Sequence, residues 1–185
     1  AANIISAAEH TMAMMLTLAR NIPRADASVK AGKWERSKFT GVELMGKTLG
    51  IVGIGRVGGE VAKRAKSFQM KLVGYDPYIS QELAVKLGVR ILPLDKVLEE
   101  ADFITIHTPL TPTTHHLIGK AQLEKLKPSM PKPTAALNSS VLTKVRRATG
   151  LQGIKTPSMS RKARAINVVV VVMVRVFSER LSAVG

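Results

Sequence analysis

The 185-residue sequence contains no cysteine. This excludes a disulfide framework and any zinc site built on thiolates, and it agrees with a reducing, cytoplasmic setting. No apolar run reaches the roughly 18 residues that a membrane-spanning helix needs. The opening AANIISAAEH lacks the basic region and long apolar core of a secretory signal. It also lacks an initiator Met, so the expectation is a piece of a longer protein that begins partway along it. Histidine is scarce. His107, His115 and His116 stand eight and nine apart with no carboxylates beside them, which matches no metal-ligand spacing. His10 falls on the first expected helix and reads as structural. Internal repeats are absent.

Acids are nearly missing from one end. Residues 129–185 hold 10 Lys/Arg and one acid, Glu179, a net of +9, whereas residues 1–128 hold 18 Lys/Arg and 12 Asp/Glu, a net of +6. Such basicity ordinarily points to nucleic acid or an acidic membrane. The basic clusters VRRATG and SRKARA are not interleaved with aromatics, and no binding motif accompanies them. A specific nucleic-acid partner is therefore not expected, and neither is a membrane.

What remains is 45% hydrophobic and 22% charged, enough for one respectable core. Ser6 and Glu9 have the spacing of a capping box, followed by TMAMMLTLAR, apolar nearly all round and expected to be largely buried. Pro23 suits the first turn of a short helix over 23–30. The segment 33–41 reads as a loop with two aromatics, Trp34 and Phe39. They either anchor the loop on the core, the commoner role, or stack on a base. A buried strand is expected over 47–53 and a helix over 56–68, with Val57, Val61, Ala62, Ala65 and Phe68 on one stripe. A strand at 72–75, a helix at 81–87 capped by Ser80 and ended by Gly88, a short strand at 91–92, a helix at 94–100 and a strand at 102–106 follow. This alternation predicts an α/β fold with a Rossmann-like, doubly wound parallel sheet.

After Pro128 no period of 2 or 3.6 persists, and Pro131, Pro133 and Pro157 interrupt the text. The run NVVVVVMVRVF at 167–177 reads either as a buried strand or as an aggregation-prone window. The organisation expected is a partial nucleotide-binding domain over 1–128 and an unassigned basic tail over 129–185. Because strands after 128 are not recognisable, the sheet is expected to be incomplete, with an unpaired edge.

The motif that carries chemistry is Gly53-Ile-Gly55-Arg-Val-Gly58, which ends a strand and opens a helix. Asp76 follows at the end of the next strand, 23 residues after Gly53. Gly53 permits the tight turn, Gly55 leaves room for a pyrophosphate, and Gly58 lets the helix pack on the sheet. The N–H groups around Arg56 and Val57 lie at the positive end of the helix. The Arg56 side chain has two open readings, phosphate contact or simple solvation. Asp76 suits a ribose diol and repels a 2′-phosphate, which favours NAD over NADP.

These residues carry a resemblance. LGIVGIGRVG and LVGYD, with GKWERSKFTGVELMGKT before them and DFITIHTPLTPTTHHLIG after, are similar to the D-isomer-specific 2-hydroxyacid dehydrogenases over about residues 1–128. The resemblance implies oxidation of a 2-hydroxy acid, here 3-phospho-D-glycerate on the way to serine, with NAD as cofactor. It places Arg56 and Val57 in the dinucleotide loop, Asp76 on the adenosine ribose, and Thr108 and Pro109 in a loop bordering the cofactor. It also implies a homo-oligomer formed through residues 1–45.

Beyond Lys127 the resemblance stops. The family continues to an Asn-x-x-Arg-Gly-Gly stretch and then an Arg, a Glu and a Glu-paired His. Here Asn138 has no Arg three residues on, and the tail has a single acid and no His. No catalytic residue is assigned in this chain. The expectation is NAD binding without turnover, and residues from about 129 onward read either as out-of-frame or mispredicted translation or as a genuine divergent or alternatively spliced tail.

Overall fold

The computed structural model describes residues 3–109, 111–115 and 117–126, together with the backbone of 170–172. The remaining tail, with the expectations that fall on it, lies outside the described residues. The elements are α1 (Asn3–Ala19), α2 (Ile22–Lys30), a 3-10 turn (Arg36–Phe39), β1 (Thr48–Val52), α3 (Arg56–Ser67) and β2 (Lys71–Tyr75). Then come α4 (Gln81–Leu87), β3 (Val89–Ile91), α5 (Leu94–Glu100), β4 (Phe103–Ile106), α6 (Lys120–Leu123) and β5 (Val170–Val172).

The strand order is β3-β2-β1-β4-β5. The first four strands are mutually parallel, with Thr48–Val52 opposite Lys71–Tyr75 on one side and Leu49–Val52 opposite Phe103–Ile106 on the other. β5 pairs antiparallel with β4, Val170 opposite Ile106. β4 is thus paired over three residues by part of the valine run, and β3 and β5 form the sheet's edges among the described residues.

Helices cover both faces, as a sheet apolar on both sides requires. On one face Met12, Met15, Leu49, Ile51, Val57, Val61 and Leu87 form a core drawn from α1, α3, α4 and β1. On the other, Val52, Leu98, Ala101, Ile104 and Leu126 form a second cluster. Fully burying side chains such as Leu49, Ile51 and Val52 stabilises the fold by about 1.5–3 kcal/mol each.

Local chemistry sets the helix ends. Ser80 Oγ accepts from the Leu83 N–H at 3.2 Å, and Gly88 closes α4 at φ 71. Four local expectations fail. α1 is already helical at Asn3, so Ser6 lies inside it and cannot cap it. Only one stripe of α1 is buried, and Ile5 and Leu18 are exposed, as is His10. Trp34 is 82% exposed and anchors nothing. α2, the helix beside it, has no buried residue, so no core lies there to receive an indole. Phe39 alone turns inward, half-buried under the Arg24 guanidinium at 5.8 Å. Phe68 caps α3 and is exposed rather than lying on its buried stripe.

Candidate nucleotide site

The chain starts in the middle of the sheet, moves outward through β2 and β3, then returns across α5 to β4 on the far side of β1. The connections leaving β1 and β4 therefore part in opposite directions. Open α/β sheets bind ligands at such a switch point, at the carboxyl ends of the strands. A cleft of about 430 Å³ lies there. Its walls come from Gly53 and Gly55 after β1, Tyr75, Asp76 and Tyr78 after β2, and His107–Pro109 with the following threonines after β4.

The three glycines do three separate jobs. Gly53 has φ +88, and a Cβ there would lie 2.9 Å from the His107 carbonyl carbon and 3.0 Å from Thr108 Cγ2. The β1 and β4 loops are thus packed backbone to backbone. At Gly58 a Cβ would fall 2.2 Å from the Gly53 oxygen, so only glycine lets α3 start this close to the turn. At Gly55 a Cβ would meet nothing within 4 Å. Gly55 is the N-cap of the 12-residue α3 and has no side chain to cap it. The first N–H groups of α3, from Arg56 and Val57, lie beside this open space. Val57 is buried against the core, and the Arg56 side chain is exposed, so Val57 contributes backbone only.

Asp76 sits half-buried at the end of β2. Its Oδ2 accepts from the Ile54 N–H at 2.7 Å, and its Oδ1 accepts from the Tyr78 N–H at 2.9 Å. The carboxylate is thereby fixed to the glycine turn. A carboxylate has about four acceptor positions, so each oxygen keeps one for a diol. This is a fit for an adenosine ribose: a preset bidentate acceptor beside an open helix start.

Thr108 and Pro109 line the same cleft, half-buried and exposed respectively. Of the eight residues expected from sequence, Gly53, Gly55, Asp76, Thr108 and Pro109 line this cleft; Arg56 lines a separate pocket with Ile4, Ile5 and Leu83, and Val57 and Gly58 are buried at the start of α3. Of the histidines, His116 lies outside the described residues. His107 is 5% exposed, with Nε2 at 2.8 Å from Thr105 Oγ1 and Nδ1 without a partner. Burial pushes its imidazole from 6.5 down to about 4, so it is neutral near pH 7. His115 is exposed. Sequence reading missed Tyr75, Tyr78, Thr111, Thr113, Thr114 and Leu117 as lining residues. The available signal was the hydroxyl-rich stretch TPTT directly after the β4 loop. Among the described residues no cluster of three metal-ligating groups exists, and no helix is long and apolar enough to cross a membrane.

Known proteins agree with this geometry. The family model for the D-isomer specific 2-hydroxyacid dehydrogenase NAD-binding domain matches residues 12–131. The chain is 55% identical over 125 residues to the D-3-phosphoglycerate dehydrogenase of Archaeoglobus fulgidus, covering 68% of this chain and 24% of that one. It is 58% identical over 117 residues to the human D-3-phosphoglycerate dehydrogenase, covering 63% and 22%. It spans about a quarter of the length of these relatives. Among solved structures, Escherichia coli D-lactate dehydrogenase superposes with a TM-score of 0.64 at 36% identity, covering 68% of this chain and 39% of that one. The Aquifex aeolicus D-lactate dehydrogenase complexed with NAD and lactic acid superposes with a TM-score of 0.63 at 37% identity, covering 66% and 37%. Residues 12–131 are the NAD-binding domain of a D-isomer specific 2-hydroxyacid dehydrogenase, and the chain belongs to that family.

Proposed function

We propose that the chain holds the adenosine and pyrophosphate half of NAD in the switch-point cleft, as part of an enzyme that oxidises 3-phospho-D-glycerate. The observation that carries this is the Asp76 carboxylate, pinned by two backbone N–H groups at 2.7 and 2.9 Å beside the open face of Gly55. Asp76 accepts both ribose hydroxyls. The α3 N–H groups at Arg56 and Val57 bind the pyrophosphate, with the Arg56 guanidinium free to approach it from solvent. Thr108 and Pro109 close the cleft on the β4 side. NAD, when bound, supplies the hydride acceptor. The relatives' names support the phosphorylated substrate. A cytoplasmic location is the reading that this metabolic role and the lack of cysteine support.

Turnover needs a proton-transfer pair against the substrate. Residues 129–185 contain Glu179 as their single acid and no histidine. The chain by itself therefore binds NAD without turning over. Calorimetry tests the reading: NADH binds the folded chain, NADPH binds at least about tenfold more weakly, and Asp76→Ala narrows that gap. A folded chain that ignores NADH, or takes both nucleotides equally, overturns it.

A second reading concerns assembly, and it rests on the exposed apolar side chains of the first 45 residues. Ile5, Leu18, Ile22, Val29, Trp34 and Met45 are all exposed. We propose that this region forms a homo-oligomer. Sedimentation at rising concentration shows association, and Trp34→Ala weakens it. A chain that stays monomeric at every concentration refutes it.

A further inference from the structure

We propose that Thr114 is a positioning residue for the cofactor cleft, setting the wall formed by the backbone of Pro109 and Thr111. This deepens the NAD reading and rests on it for the ligand, though not for the geometry.

The wall has no secondary structure of its own. It runs from the end of β4 to a turn over 112–115; the His107 N–H ties its start to the Val52 carbonyl at 2.8 Å, and two further contacts among the described residues shape it. One is the close packing of Gly53 on His107 and Thr108. The other is Thr114. Its hydroxyl donates to the Pro109 carbonyl at 2.5 Å, five residues back. It accepts from the Thr111 N–H at 2.8 Å, and it lies 3.0 Å from the Thr111 hydroxyl.

A threonine hydroxyl has one proton and two lone pairs. The Pro109 contact is the shortest and its carbonyl can only accept, so the Thr114 proton goes there. The Thr111 N–H then fills one lone pair, and the Thr111 hydroxyl, 3.0 Å from both the Thr113 and the Thr114 hydroxyl, stands within reach of the other. Thr111 Oγ1 in turn accepts from the Thr114 N–H at 3.2 Å and lies 3.0 Å from the Thr113 hydroxyl. The Thr114 hydroxyl is therefore engaged within the loop, its one proton committed to the Pro109 carbonyl, although Thr114 lines the cleft. Its work is to hold the loop in one shape before the cofactor arrives. A side chain that presets a wall raises affinity by removing an ordering cost from binding.

The test uses the full chain with Thr114→Val, which keeps the shape and removes the hydroxyl, and Thr114→Ser, which keeps the hydroxyl. AMP and NADH binding are measured by calorimetry, with melting temperature in parallel and amide exchange at Thr111. Thr114→Val weakens AMP and NADH by about tenfold, because the wall must then be ordered on binding. Thr114→Ser stays within about twofold of the wild type. Thr114→Ser melts like the wild type, Thr114→Val melts lower by a few degrees, and Thr111 exchanges faster only in Thr114→Val. Unchanged affinity and unchanged exchange in Thr114→Val overturn the proposal, as does an equal loss in Thr114→Ser. If the wild type binds neither AMP nor NADH, the cofactor reading falls. The exchange rate at Thr111 then decides the positioning role by itself.

Discussion

Substituting Gly55 and Gly58 separately by alanine should split folding from binding. At Gly58 the new Cβ falls 2.2 Å from the Gly53 oxygen and 3.1 Å from its carbonyl carbon. Both are backbone atoms, so no rotamer change relieves the clash. Gly53 cannot retreat, because it is itself packed against the His107 carbonyl. The start of α3 must move off β1 by roughly 1 Å, judged against ordinary carbon–oxygen contacts of about 3.3 Å. Overpacking of this kind costs about 1–3 kcal/mol, and rigid backbone on both sides argues for about 3. In a domain of this size that lowers the melting temperature by roughly 6–12 °C. Gly55 differs in every respect. Its φ is −72 and its Cβ meets nothing, so alanine is accommodated. Alanine is the poorer N-cap by a few tenths of a kcal/mol. It also restricts the unfolded chain, which returns about 0.4–1 kcal/mol. The two effects nearly offset, and melting barely moves. The methyl group nevertheless occupies the approach of the pyrophosphate, so NADH affinity falls by about tenfold or more. Scanning fluorimetry and calorimetry on both variants read the two effects. If Gly58→Ala melts like the wild type, or Gly55→Ala keeps its NADH affinity, the division of labour among the glycines is wrong.

Acid should weaken the fold through His107. The folded ring has its pKa pushed down to about 4, against 6.5 when unfolded, so the unfolded chain takes up the proton first as pH falls. Stability declines between about pH 6.5 and 4 by up to roughly 3 kcal/mol, and urea titrations show this slope flattened in His107→Asn. Ser80→Ala removes the α4 cap and costs about 1 kcal/mol in the same titrations, with NADH affinity unchanged.

How much of this was legible depends on whether a residue acts through local backbone or through distant packing. The glycine motif was legible because each glycine answers a requirement set within a few residues: a positive φ at Gly53, a helix start at Gly55, a near approach at Gly58. Asp76 was legible because a strand end fixes where it points. The helix and strand bodies followed from periodicity, with ends misplaced by one or two residues, as at β3, which covers Val89–Ile91. Trp34 was not legible. Its fate depends on whether a core lies beneath the loop, and α2 supplies none. Ser6 was misread because a capping box fixes a helix start only when nothing upstream is helical, and Asn3–Ile5 already are.

Thr114 marks the boundary between the two cases. Its neighbours in sequence, Thr111 and Thr113, are chemically the same residue, and no pattern separates the hub from its partners. The distinction appears only once the loop folds back far enough for one hydroxyl to reach the Pro109 carbonyl. The backbone cradle at Gly53–Gly58 is written in residue type, because only glycine satisfies it. The wall opposite is written in loop shape, which three threonines share and one of them sets. A cleft assembled from β1, β2 and β4 therefore has one face that a motif can specify and one that depends on tertiary packing. Mutations on the second face should alter affinity without violating any sequence signature.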